Sequence, residues 1–300
     1  MSRKASLRWL LGGVIGLLCA SGLQAAPVLL SGEDSPAARA FSLALAQQRP
    51  QDQVQFVSLD QLKRAPSLEP DTRLVLFGEN ALAWRLALPQ APPTLVLRVS
   101  RVQAQSHLGT VRPNGLSLLW SDPPPARQLQ LAHLLVPQAT RIGVLHDEHS
   151  RFLLDELRQA AKPMGLTIVA QSWPDTRDTR PLLALLKQSD LLLGLDDTDL
   201  FNPQTVKSLL LTSYAQERAL LGPSAAFVKA GSLASSYSDQ ADWLTTLDRL
   251  LDQDPRHWPA ELYPSHFKVL GNRQVARALG IRLDTDTDLA RQLTAGEQTP

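Results

Sequence analysis

Apolar positions along this chain fall into short continuous runs, separated by stretches with helical spacing. Val28-Leu29-Leu30 predicts a first strand. A turn follows, Ser31-Gly32-Glu33-Asp34-Ser35-Pro36, in which Asp34 or Ser35 caps a helix and Pro36 takes a first helical position. Ala37, Phe41 and Leu45 then share one side of that helix. Residues 54–57, 74–77, 94–99 and 116–119 predict four more strands, with a short helix carrying Leu82 and Leu86 among them. After Pro123-Pro124-Pro125 the pattern restarts. Helices are expected through Leu129 and Leu135, from Phe152 to Ala161, over 181–187 and over 203–214, alternating with strands at 141–145, 166–170, 191–193 and 219–221. Strands that are apolar throughout indicate parallel sheets covered on both faces. Two such sets, broken between Trp120 and Arg127, predict two α/β lobes. Beyond residue 230 the spacing predicts a strand over 231–237, a helix over 240–251, a strand over 267–270 and a helix over 272–279, with the chain passing back between lobes. Residues 294–300 read as a frayed tail.

The first 25 residues predict a cleaved signal peptide. Arg3, Lys4 and Arg8 form its basic start, Trp9 to Ala20 is a twelve-residue uncharged run, and small residues offer a cut after Ala25. That run falls short of the ~20 residues a membrane-spanning helix needs. Cys19, the only cysteine, follows Leu17-Leu18 rather than the small residue a lipid-anchored chain would carry, so it is expected to leave with the signal. The expected location is the periplasm, with a cysteine-free mature chain. Removing Arg3, Lys4 and Arg8 from the 30 basic side chains leaves 27 against 29 acidic ones. With no basic stripe, nucleic-acid binding is not expected.

In open parallel sheets, ligands bind beyond the carboxyl ends of strands, where loops lead into helix N-termini. The loops so placed nominate Ser31 and Glu33, Gly78-Glu79-Asn80, Trp120, Asp196-Asp197, Ser224 and Tyr237. Gly78 and Gly222 permit close backbone approach, while Asn80 and Ser224 either bond a ligand or cap their helices. Asp196 and Asp197 would meet an ammonium group, or else complement a helix dipole. Trp120 and Tyr237 would stack on a ligand or pack beside a hinge. The acidic bias of these loops favours a cationic or zwitterionic ligand over a dianion.

Several motifs are set aside. His146-Asp147-Glu148-His149 brings two imidazoles together, but no further His or Cys is placed to complete a metal site, and none is expected. Asp284-Thr285-Asp286-Thr287-Asp288 opens like a calcium loop, yet Leu289 and Ala295 stand where Gly and Glu are required. Gly222-Pro223-Ser224-Ala225-Ala226 lacks the second glycine of a nucleophile elbow, and no glycine-rich phosphate loop is present. No catalysis and no cofactor are expected.

Three segments carry a resemblance: Val136 to Leu145, Gly222 to Ser235 and Asn272 to Ile281. Through them the chain resembles the periplasmic substrate-binding proteins of ABC importers, in the type I branch that includes tryptophan-binding members. It departs from them at Tyr237-Ser238-Asp239-Gln240-Ala241-Asp242-Trp243, where the family has an Asp-Tyr-rich run leading to Gly. The resemblance implies two Rossmann-like lobes joined by three hinge crossings, residues 26–121 with about 236–264 forming one and 122–235 with about 265–293 the other. It also implies a monomer that holds a small molecule in the cleft and presents it to an ABC permease. The alternative role on the same fold is a sensor or accessory subunit regulating a membrane partner. A secreted hydrolase using Ser224 is the more distant rival.

Overall fold

The computed structural model describes residues 27–65, 68–109 and 112–297. The signal peptide expected from the sequence lies outside them. Two six-stranded sheets organise the chain. The first contains β1 (Val28–Gly32), β2 (Val54–Ser58), β3 (Arg73–Phe77), β4 (Thr94–Val99) and β5 (Leu116–Trp120), joined at one edge by β11 (Glu261–Leu262), in the order β11-β5-β4-β3-β1-β2. The second contains β6 (Arg141–His146), β7 (Thr167–Ser172), β8 (Leu191–Leu193), β9 (Ala219–Leu221), β10 (Ala234–Tyr237) and β12 (Lys268–Gly271), in the order β12-β10-β9-β8-β6-β7. All pairings are parallel except β10 with β12. The chain therefore passes between sheets three times, after β5, after β10 and after β11.

Helices cover both faces of each sheet, which is why the strands are apolar without alternation. On one face of the first sheet, Phe41 and Leu45 of α1 (Pro36–Gln48) pack with Trp243, Leu244 and Leu247 of α10 (Gln240–Leu251). On the other lie α2 (Leu59–Arg64), α3 (Glu79–Leu86) and α4 (Arg101–Gln105). The second sheet is covered on one side by α5 (Pro125–Leu135), α6 (Leu153–Ala161) and α12 (Asp286–Glu297), and on the other by α7 (Arg180–Gln188) and α8 (Val206–Ala215). Two short helices, α9 (Ala225–Ala230) and α11 (Arg273–Ala278), complete that lobe.

Ser35 is the residue that caps α1, its Oγ accepting from the Ala38 N–H at 3.1 Å. The short α2 and α4 were not expected from periodicity. Each begins with a capping box, Ser58 with Gln61 and Ser100 with Gln103, which satisfies two backbone donors reciprocally. The tail also differs from expectation. Residues 294–297 belong to α12, because Leu289 and Leu293 are buried against the second lobe and the Arg127 guanidinium pairs with Glu297. Among the described residues no helix is long and apolar enough to cross a membrane.

Candidate functional site

The carboxyl end of β4 departs from regular pairing. Its register against β5 shifts between Val96 and Val99, and within that irregularity Arg98 takes a left-handed backbone with φ of 57°. Such a conformation is disfavoured for a side chain with a Cβ, and bulges of this kind re-aim side chains at sheet ends. Here it swings a guanidinium out of an otherwise buried strand. The Arg98 guanidinium carbon lies 5.8 Å from the centre of the Phe77 ring, and among the described residues Arg98 makes no ion pair. Beside it lies a cavity of about 250 Å³ lined by Phe41, Leu97, Arg98, Ser121, Gln240 and Trp243. Ser238 and Asp239, on the second crossing, close its remaining wall. Asp239 caps α10, accepting from the Ala241 N–H at 2.9 Å. Lys268 on β12 reaches Asp239 and Asp242 at 2.8 Å each, tying that crossing to the second lobe.

Next to this cavity in sequence, just past Ser121, is a buried acid. Asp122 is 8% exposed and accepts from the Arg101 N–H at 2.9 Å. Burial, followed by repulsion from Asp196, pushes its carboxyl up to about 7. Burial and then the neighbouring Asp197 push Asp196 up to about 6. These two acids come from different lobes and meet where the lobes touch. There the Ser100 hydroxyl donates to the Asp196 carbonyl at 3.1 Å, and Arg101 pairs with Glu156 at 2.6 Å. Arg101 also donates to the Tyr263 hydroxyl at 3.3 Å and lies over the Phe152 ring, while Val102 packs into the core of the second lobe. Asp196 is half-buried, and the Arg101 charge offsets part of the rise at Asp122. A further positive group arriving between the two acids would favour the ionised form of both.

The residues nominated from sequence do not gather in one place. Gly78 precedes α3 with φ of 84°, a conformation suited to glycine. Asn80 is not a cap; its Nδ2 donates to Glu33 Oε1 at 3.1 Å, joining the loops after β3 and β1. Glu79 pairs with His107 at 2.7 Å. Glu33 and Asn80 border a different cavity, of about 700 Å³, on the side of α2 and α3. Ser31 is fully buried, with an Oγ that has no partner. Trp120 is 3% exposed, packs among core residues under α2 to α4 and donates its indole N–H to Glu261 at 3.1 Å. That burial commits it to packing and leaves no open ring face for stacking. Ser224 makes no capping bond, and half-buried Tyr237 stands opposite Lys268 in the sheet. Asp196 is the nominee that meets the acidic lobe contact, while Asp197 lies against Asp147.

Arg98 and Asp122 were not nominated. A lone arginine inside the apolar run 94–99 was the signal for the first. Asp122, set before three prolines, reads as linker, and only the fold discloses its burial.

No family model and no curated protein sequence matches the chain. Solved structures do. An ABC domain in complex with L-Trp from Streptococcus pneumoniae is similar at 15% identity, covering 88% of this chain and 98% of its own, with a TM-score of 0.61. The ligand-free, open form of CD0873, a substrate-binding protein with adhesive properties from Clostridium difficile, is similar at 14% identity, covering 87% and 97%, with a TM-score of 0.68. A conserved domain protein from Vibrio cholerae gives 14% identity, 91% and 98% coverage and a TM-score of 0.61. With its two mostly parallel six-stranded sheets, the chain has the type I periplasmic binding protein fold.

Proposed function

We propose that this chain is an exported solute-binding protein that closes its lobes on a small zwitterionic molecule of amino-acid type and presents it to an ABC-type permease. The observation that carries the reading is Arg98, a cation without an ion pair among the described residues, set by a bulge at the wall of a cavity that it shares with Ser121, the residue before the buried acid Asp122. A carboxylate would form charge-assisted hydrogen bonds with the guanidinium. An ammonium group would add countercharge at Asp122 and Asp196, where Arg101 supplies only part of it. The remainder of the ligand would occupy the cavity of about 250 Å³ beside Arg98, against Gln240 and the edge of Trp243. Because the acids come from both lobes, a ligand touching both favours the closed arrangement by population shift. The fold and two of its structural neighbours, one bound to L-Trp and one a substrate-binding protein, support the same reading.

A thermal-shift screen of ligand-stripped protein against amino acids, amines, sugars and small anions tests it. At 100 times Kd a ligand adds about 2.7 kcal/mol, or roughly 5–10 °C for a chain of this size. The expected result is a shift for amino-acid-like compounds that Arg98→Ala abolishes. Tight binding of phosphate or sulfate with no response to amino acids would defeat the zwitterion assignment. A flat screen on folded protein would favour the accessory-subunit role.

A further inference from the structure

The loops following β6 and β8 converge at the carboxyl end of the second sheet. Asp147, the first residue after β6, is fixed by its own turn: its Oδ1 accepts from the His149 N–H at 2.8 Å and the Ser150 N–H at 3.0 Å. That turn returns the His149 ring toward the Asp147 carboxylate. Asp199 arrives from the β8 loop, about fifty residues later in sequence. One ligand atom from each of Asp147, His149 and Asp199 lies within 4.8 Å of the others. They face a cavity of about 580 Å³ that Trp173 and Arg151 also border.

Behind this trio is a second, independent feature. Asp197 is 1% exposed and its carboxyl lies against that of Asp147. Its Oδ1 accepts from the Asp199 N–H at 3.0 Å, but Oδ2 has no hydrogen-bond partner among the described residues. A buried carboxyl oxygen without a partner is costly. The cost falls where a bound cation shares the field of both carboxylates.

We propose that Asp147, His149 and Asp199 ligate a divalent transition-metal ion, with Asp197 as the buried carboxylate supporting Asp147 from behind. One imidazole with carboxylates suits zinc or manganese, whereas magnesium and calcium prefer oxygen ligands alone. Ligand atoms bound at about 2.1 Å in a tetrahedral site stand ~3.4 Å apart. Rotation of the exposed His149 and Asp199 side chains closes the remaining gap, and water completes the coordination. The proposal is independent of the ligand assigned to Arg98 and Asp122.

Calorimetric titration of tag-free protein with zinc chloride tests it, with circular dichroism confirming that each variant is folded. One equivalent should bind to wild type, and His149→Ala and Asp199→Asn should each weaken it at least tenfold. His257→Ala, which removes an exposed imidazole elsewhere, should leave binding unchanged, and magnesium should give no heat. Absence of binding to wild type, or wild-type affinity in His149→Ala or Asp199→Asn, would overturn the assignment. So would a loss of binding in His257→Ala.

Discussion

At the scale of single residues, Asp122 gives the sharpest expectation. Its acid form is favoured in the folded protein, because burial and then Asp196 raise it from an ordinary 3.8 to about 7. A raised acid contributes stability that is fully present below the unfolded value and is lost as pH rises through the folded one. Wild type therefore weakens between pH 4 and about 7 on account of this group. Asn in its place still offers an acceptor to the Arg101 N–H and never ionises. Asp122→Asn should be more thermostable than wild type at pH 8, with the advantage shrinking by roughly 4–8 °C toward pH 5, a change on the order of 2 kcal/mol. Melting curves at the two pH values decide it; a constant difference would show that Asp122 does not titrate there. Residue chemistry was the least legible level in the sequence. Asp122, Arg98 and the meeting of Asp197 with Asp147 depend on which strand ends lie side by side. Neighbouring letters in the chain do not specify that. Residues chosen as loop neighbours of strands, such as Trp120 and Asn80, turned out to be packed or paired within the first lobe.

At the scale of elements, hydrophobic period and caps reported well. Pro36 and Ser35 marked the start of α1, and Asn272 caps α11, accepting from the Gln274 N–H at 3.1 Å. What periodicity could not reveal was a helix whose apolar side is narrow. α12 buries Leu289 and Leu293 with few other side chains, so its sequence reads as a polar tail. Its docking is nonetheless firm. Leu293→Ala should cost about 2–5 kcal/mol, read as a lower midpoint in urea. A change below 0.5 kcal/mol would mean that the helix is peripheral to the second lobe.

For the whole molecule, the contact at residues 100–102 joins the two lobes. Arg101 is the side chain that spans it, holding Glu156 and the Tyr263 hydroxyl together over Phe152. Arg101→Ala should leave secondary structure intact and increase the radius of gyration in small-angle scattering, as the lobes part. An unchanged radius would show that Val102 and the Ser100 bond to Asp196 suffice. Two lobes were visible in the sequence because the strand–helix alternation restarts after the prolines. The contact between them was not, since α4 spans only five residues and carries no apolar period.

The threading of the chain also has a temporal side. Trp243, Leu244, Leu247, Leu250 and Trp258 cover one face of the first sheet, yet they are synthesised after most of the second lobe. A ribosome that has made only the first five strands holds a sheet with one greasy side covered by α1 alone. Such a nascent piece cannot settle until the later segment arrives. A fragment ending at Trp120 should accordingly melt without a cooperative transition. Under the export proposed for this chain, the same delay would keep its amino-terminal part loose during passage through a membrane channel.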